Sequence, residues 1–496
     1  MRLRFAPILA LALGCRAGRP LLLADPLDGA LPAVDDCAAF ADPELDARLD
    51  DRTDSVARGG NAVRLLVNGV EAFARRYENA ADADLVLVKT YIFTDDETGR
   101  AVADLLRARA RAGATVVVQY DLKGSLDGAT EALALYGETR DERILRDKPI
   151  LADLVRDGVH VVATNVPRTI PGALRLFRAQ EKVEARRGEG RTPVAIGGAL
   201  TRFDHEKYWI TGHISPDGQI TLRAILGGMN IASEYAYGGT DRVDAGSTRG
   251  GWRDTDIEVV GPVTTDIVRR YFDVLGANVE AWPAGIDRMR WEVPQPDAGA
   301  AEARFVWNQP SGGNGRHIER LYRALVRATP TESSVRLASA YFTPGPLVRR
   351  PLLQRLRAGG RVAVLTNSPA STDIGIVTTA SRGAYDTLLG ASPRAALYEW
   401  RPKLGLHTLH SKVASFGTCG PVIVGSANLD GLSSLNNSES VLVVTDPTLR
   451  ATLDASFDLD LGNADRITQA DLAMTPGLVR WSQRGVYWIG WRFLAL

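Results

Sequence analysis

The sequence predicts an α/β chain made of two similar halves, and three observations carry that prediction. A strand, helix, strand order occurs twice, within residues 83–120 and again within 334–367. The triplet His-x-Lys also occurs twice, as His205-Glu206-Lys207 and as His410-Ser411-Lys412. Between the two sets runs Val293 to Ala300, a Pro/Gly/Ala stretch with no apolar period. At 496 residues the chain has room for two domains or for one duplicated fold.

The elements follow in order. Met1-Arg2-Leu3-Arg4, an apolar run from Phe5 to Gly14 and then Cys15 read as a signal peptide over residues 1–15. The run is too short for a spanning helix. Ala12-Leu13-Gly14-Cys15 is similar to a bacterial lipobox with Ala and Leu exchanged, so export is expected, to the periplasm or outer membrane, with a lipid anchor at Cys15. Residues 16–55 form a Pro/Asp-rich N-terminal arm. Cys37 and Cys419 could pair in an oxidising compartment, tying the arm to the second half, or stand as two unrelated thiols.

The first half covers residues 56–292. Ala62–Val67 and Ala83–Phe93 read as helix-then-strand material, Asp96–Ala112 as a helix ended by Gly113, and Thr115–Tyr120 as a buried strand. The charged, Gly-rich run Glu184 to Arg191 reads as a solvated loop. After the linker at 293–301, the second half covers 302–496: Ser334–Phe342 is a strand, Leu347–Ala358 a helix and Gly359–Asn367 a strand. The tail from Arg480 to Phe493 interleaves Trp and Tyr with Arg, a composition suited to the membrane–water boundary or to a tail packed back on the fold.

Charge narrows the functional classes. Lys plus Arg and Asp plus Glu are 59 each, and this balance argues against a nucleic-acid glove, which relies on a surplus of cations. Only seven of the bases are Lys, at positions 89, 123, 148, 182, 207, 403 and 412, and there are six His. A scrambled chain of this composition would carry His-x-Lys about 0.08 times, so two copies are informative. Each triplet is trailed by Gly-[Gly/Ser]-x-Asn, namely Gly227-Gly228-Met229-Asn230 and Gly425-Ser426-Ala427-Asn428. In extended chain, residues i and i+2 share a face, so His and Lys project together. Two imidazoles, two ammonium groups and two amides, with glycine turns that could offer free N–H groups, compose a phosphate site. His213, His317 and His407 carry no such pattern and are expected to be structural, and no Cys/His spacing of a zinc site occurs.

These motifs resemble the phospholipase D superfamily, whose signature is His-x-Lys-x4-Asp followed by Gly-[Gly/Ser]-x-Asn. The likeness runs over residues 60–445 and includes Tyr91-Ile92-Phe93, Asp95 to Gly99, Trp252-Arg253-Asp254 and Tyr341-Phe342-Thr343-Pro344. Asn367-Ser368 with Asp373, and Leu397 to Arg401, look most like bacterial cardiolipin synthases and related exported enzymes. Both family aspartates are missing: the fifth residue beyond each Lys is Gly212 or Gly417. The first motif also holds the turn sequence Ser215-Pro216-Asp217-Gly218, which predicts an extended hairpin.

The resemblance implies two α/β/α sandwich domains related by a pseudo-two-fold, with one active site at their interface. It implies His205 as the nucleophile that forms a phosphohistidine and His410 as acid and base, with Lys207, Lys412, Asn230 and Asn428 on the phosphate oxygens. Asp254 is expected to orient His205, with Glu234 and Asp241 as competitors, and Glu439 to orient His410. Neither metal nor cofactor is expected. The implied partner is a phospholipid such as phosphatidylglycerol on a membrane surface, the implied chemistry phosphodiester cleavage or phosphatidyl transfer, cardiolipin synthesis included, and the implied state a monomer. Two rivals stand beside this: a nucleic-acid phosphodiesterase, and a non-catalytic phospholipid-binding surface lipoprotein.

Overall fold

The computed structural model describes residues 35–122, 124–125, 149–165, 181–187, 190–196, 203–242, 250–279, 281–308 and 316–493; the signal segment, Cys15 and the first part of the arm lie outside them. The first half contributes strands β1 (Ala57–Val67), β2 (Leu85–Thr90), β3 (Thr115–Asp121), β4 (His160–Thr164), β5 (Glu181–Arg187), β6 (Gly190–Ile196), β7 (Tyr208–Ile214), β8 (Ile220–Gly227) and β9 (Thr255–Val260). The second contributes β10 (Ala301–Asn308), β11 (Ser334–Ala338), β12 (Arg361–Asn367), β13 (Ala395–Trp400), β14 (Val413–Phe416), β15 (Val422–Gly425), β16 (Glu439–Thr445) and β17 (Ala464–Ile467).

All but β5 and β6 join one 15-stranded sheet in the order β17-β13-β12-β11-β14-β15-β16-β10-β1-β9-β8-β7-β2-β3-β4. From the central pair β10 and β1, both directions run through equivalent strands, so the duplication seen in the sequence is a pseudo-two-fold through the middle of the sheet. β1 makes the join. Its Ala57–Asn61 end pairs with β10 and its Ala62–Val67 end with β9, across a register shift between Arg58 and Asn61. Gly60, with φ +79°, turns that corner, and a Cβ there would strike the Asp297 carboxylate.

Both predicted parallel pairs form, β2 with β3 and β11 with β12, and each is extended by a further parallel strand, β4 beside β3 and β13 beside β12. Helices Glu97–Arg111 and Pro346–Arg357 make the crossovers, the first capped by Asp96, which accepts from Gly99 N at 2.7 Å. Every residue of β2 is buried, as expected of a strand covered on both faces. Each half has its own core, one around Val86, Val88, Leu106 and Trp209, the other around Leu321, Leu337, Val364 and Phe416.

Two expectations are corrected, and one open alternative is decided. Ala62–Val67 is strand, because it pairs residue for residue with β9; the helix follows at Asn68–Ala80. Both described ends of the run at 184–191 are strand, residues 184–187 in β5 and 190–191 in β6 with Arg187 opposite Gly190, and charge alone disguised them as loop. Residues 37–55 of the arm are tied to the second half. Helix Pro43–Thr53 sends Leu45 and Leu49 into the second-half core, Asp46 and Asp50 meet Arg304, and Cys37 is disulfide-bonded to Cys419.

The tail, helix Gly477–Phe493, packs back on the fold while leaving two Trp exposed. Tyr487 is buried and donates to Pro344 O at 2.9 Å, and Arg480 and Arg484 hold Asp386 at 2.6 and 2.7 Å. Trp481 and Trp488 stay exposed, the latter stacked under Arg349. Among the described residues no helix is long and apolar enough to cross a membrane.

Candidate active site

The two His-x-Lys triplets lie in extended chain just ahead of β7 and β14, at equivalent places in the two halves of the sheet. Each approach is fixed by the opposite half. Asp204 bridges Ser438, with His205 N donating to Ser438 O at 2.9 Å; Leu409 bridges Arg253, with His410 N donating to Arg253 O at 2.7 Å. The carboxylates are therefore exchanged relative to the expected pairing. His205 Nδ1 is 2.9 Å from Glu439 of the second half, and His410 Nδ1 is 2.7 Å from Asp254 of the first. Glu439 opens β16 and Asp254 directly precedes β9, so each acid leaves its own sheet edge pointing across the junction. The motif assigns an acid to its own half; only the packing of the halves decides which imidazole it meets. Asp254 is fully buried, whereas the competitor Asp241 is exposed and Glu234 half-buried.

Nδ1 engagement leaves each Nε2 available for chemistry. Three further donors hold Glu439: Ser426 Oγ at 2.5 Å, Ser433 Oγ at 2.8 Å and Asn437 Nδ2 at 3.2 Å. Burial pushes its carboxyl up, yet His205, Lys207 and Ser426 outweigh burial and hold it below the usual range. Asp254 has fewer donors, and burial lifts it to about 6 against the pull of Lys412. Lys207 Nζ donates to His205 O at 2.8 Å, and Lys412 Nζ lies 2.8 Å from His410 Nδ1. Burial lowers Lys207 to about 7 and Lys412 to about 8, and lowers both histidines. A phosphodiester placed among these groups would favour their protonated forms.

The two asparagines differ. Asn230 Oδ1 accepts from Tyr91 N and Ile92 N at 3.2 and 3.1 Å, and its Nδ2 donates to Tyr235 at 2.8 Å. It braces the tyrosine loop through its carbonyl oxygen. Asn428 Oδ1 is buried without a hydrogen-bond partner among the described residues and lines a small pocket with Asn308, Glu319 and Ser433. The glycine-turn N–H groups are also taken: Met229 N by Asp256, Asn428 N by Ser433 and Leu429 N by Ser339.

Residues without a role in the motif reading wall the site. Tyr91 meets the His205 ring edge-on at 5.0 Å and lies under Lys207; Tyr235 and Trp252 flank His410 at 5.3 and 5.0 Å. Tyr91 and Trp252 lie in segments that carried the resemblance without a role assigned to them, whereas nothing local separates Tyr235 from a core residue. Both missing aspartates have structural reasons. A Cβ at Gly212 would lie 2.6 Å from the Trp291 ring, and one at Gly417, where φ is +62°, would overlap the Asp36 carboxylate. The predicted first hairpin is present: Ser215 N donates to Gln219 O at 2.9 Å between β7 and β8.

Comparison with known proteins agrees with this geometry. Residues 322–461 match the family model described as cardiolipin synthase, PLD-like domain. The chain is 26% identical over 439 residues to cardiolipin synthase B of Salmonella typhimurium, covering 86% of each. It is 26% identical over 466 residues to cardiolipin synthase C of Escherichia coli, covering 86% of this chain and 88% of that one. In fold it is similar to the phosphatidylserine synthase of Haemophilus influenzae, with a TM-score of 0.60 at 12% identity over 90% of this chain and 98% of the other. With two His-x-Lys triplets set across one pseudo-two-fold sheet, and with these relatives, the chain resembles the phospholipase D superfamily and, within it, the cardiolipin synthases.

Proposed function

We propose that the protein is a phosphatidyltransferase that works in two displacements at one phosphorus. His205 Nε2 attacks the phosphodiester, the P–O bond to the headgroup breaks, and His410 gives its proton to the departing alkoxide. An acceptor O–H then returns a proton to His410 and attacks phosphorus, and the P–N bond to His205 breaks. Lys207 and Lys412 stabilise the charge on the non-bridging oxygens. Transfer to a second phosphatidylglycerol makes cardiolipin; transfer to water makes phosphatidic acid.

The observation that carries this reading is the crossed pair of imidazole–carboxylate contacts, each with a lysine beside it. The relatives that the chain resembles along most of its length are cardiolipin synthases, which supports a phospholipid donor at a membrane surface. The Cys37–Cys419 disulfide supports the export reading, because such bonds persist in oxidising compartments.

Phosphatidylglycerol vesicles incubated with the protein, beside His205→Ala and His410→Ala, test it by lipid mass spectrometry. Cardiolipin or phosphatidic acid made only by the unmutated protein is the expected result. Vesicles that bind the protein while every lipid stays intact would favour the non-catalytic lipoprotein instead.

A further inference from the structure

The loop that leaves β12 is tied to the chain carrying His410. Asn367 donates through Nδ2 to Leu409 O at 2.7 Å and accepts at Oδ1 from Leu409 N at 3.0 Å, clamping the residue before His410. Ser371 Oγ donates to Asn367 Oδ1 at 2.9 Å, and Ser368 N to Ser371 Oγ at 2.9 Å, which folds the loop back on that clamp. Two residues on, Asp373 is exposed, and Tyr341 donates its hydroxyl to Asp373 Oδ2 at 2.6 Å. The charge of Asp373 acts on His410 and Lys412 in the second half and on Tyr91 and Tyr235 in the first. Those four groups line the site from both sides, so Asp373 stands over the junction between the halves.

A carboxylate at the rim of a phosphate site repels the substrate it overlooks. It becomes useful when a reacting molecule brings a hydrogen-bond donor to that place, because a hydroxyl meeting a charged acceptor forms one of the stronger hydrogen bonds. The transfer chemistry proposed above supplies such molecules: a glycerol headgroup that leaves, and an alcohol that arrives. One hydroxyl of a polyol must reach phosphorus; a neighbouring hydroxyl is then free to be held. Water has no second hydroxyl.

We infer that Asp373, held by Tyr341, is the acceptor-binding residue that recognises the neighbouring hydroxyl of a polyol acceptor and so favours transfer over hydrolysis. No proton passes to Asp373. The acceptor proton goes to His410 while the new P–O bond forms and the P–N bond to His205 breaks, and Asp373 fixes only the orientation of the incoming alcohol. A simple alcohol such as ethanol gains nothing from it.

The test compares the unmutated protein with Asp373→Ala, Asp373→Asn and Tyr341→Phe on vesicles of phosphatidylmethanol, whose leaving group carries no second hydroxyl. Glycerol, ethanol and water compete as acceptors, and mass spectrometry reads the three products. Asp373→Ala should lower the glycerol-to-water and glycerol-to-ethanol product ratios about tenfold, since losing a bond to a charged group is felt on that scale. Tyr341→Phe should shift both ratios the same way by about two- to threefold, and Asp373→Asn should fall between. A merely structural lesion would lower all three products together and leave the ratios alone. Ratios unmoved by Asp373→Ala would overturn the inference while the transferase reading stood. If the ratios move only with phosphatidylglycerol as donor, Asp373 serves the leaving headgroup and the acceptor assignment is wrong. An inert unmutated protein would end both readings.

Discussion

Asp36 occupies the space of a side chain that the second motif lacks, and this makes a compensating pair of substitutions informative. Its carboxylate accepts from Ser333 Oγ at 2.5 Å, Thr418 N at 2.7 Å, Thr418 Oγ1 at 2.9 Å and Cys419 N at 2.7 Å, and the residue is 1% exposed. Burial pushes the carboxyl up, but the bonds from Ser333, Thr418 and Cys419 outweigh it and hold Asp36 below its usual range. Asp36→Ala strips one buried acceptor from four donors, two of them backbone N–H groups. Single bonds of this kind contribute about 1.5–3 kcal/mol each and do not add fully, so the expected loss is about 3–5 kcal/mol. The Cys37–Cys419 bond still tethers the arm, so the loss reports the carboxylate rather than release of the chain. Gly417→Asp in the unmutated background places a Cβ onto the Asp36 carboxylate and should cost about 2–4 kcal/mol. In the double variant the space is vacant, Asp tolerates the left-handed backbone at about 1 kcal/mol, and its carboxylate can reach the same donors. The double variant should therefore be more stable than additivity allows by at least about 1.5 kcal/mol. The assay is urea unfolding of the oxidised protein followed by tyrosine and tryptophan fluorescence. Additive losses, or an Asp36→Ala midpoint equal to that of the unmutated protein, would refute the reasoning.

Other outcomes follow from the same geometry. Glu439→Gln should perturb the nitrogen-15 signals of His205 and leave His410 nearly unchanged, and Asp254→Asn should do the reverse; signals moving within one half would contradict the crossed pairing. Each substitution should also lower turnover by about 100-fold or more, the usual weight of a positioned acid–base group. Phosphate affinity, measured by calorimetry, should fall as pH rises from 6.5 to 9, because Lys207 and Lys412 lose their protons near 7 and 8. Unfolded lysines keep their protons to about 10.4. The unfolded state therefore binds more protons over that window, and the thermal midpoint of the phosphate-free protein should rise with pH. Lys207→Met should blunt both trends. Gly212→Ala should destabilise by about 1–3 kcal/mol through its contact with the Trp291 ring, with a lowered thermal midpoint as the check.

Much of the site was legible because its chemistry uses rare letters. His205, Lys207, His410 and Lys412 stand out among six His and seven Lys, and their spacing places each pair on one side of extended chain. The parallel pairs β2–β3 and β11–β12 were legible because buried strands show as short apolar, β-branched runs. The β5–β6 pair was not, because a charged strand and a charged loop have the same composition. Nor were the partners of Asn230, whose amide oxygen faces backbone N–H groups of the Tyr91 loop, more than a hundred residues away in sequence.

By itself, then, the sequence determined the duplication, the two His-x-Lys triplets and the α/β class, since each follows from local pattern repeated at a distance. The tertiary structure alone decided which carboxylate serves which histidine, which residue fills the place beside Gly417, and where Asp373 stands. The reason is common to all three: these are contacts between segments far apart in the chain, set by how β1 and β10 join two half-sheets back to back, and no local pattern encodes the partner that such a join will supply.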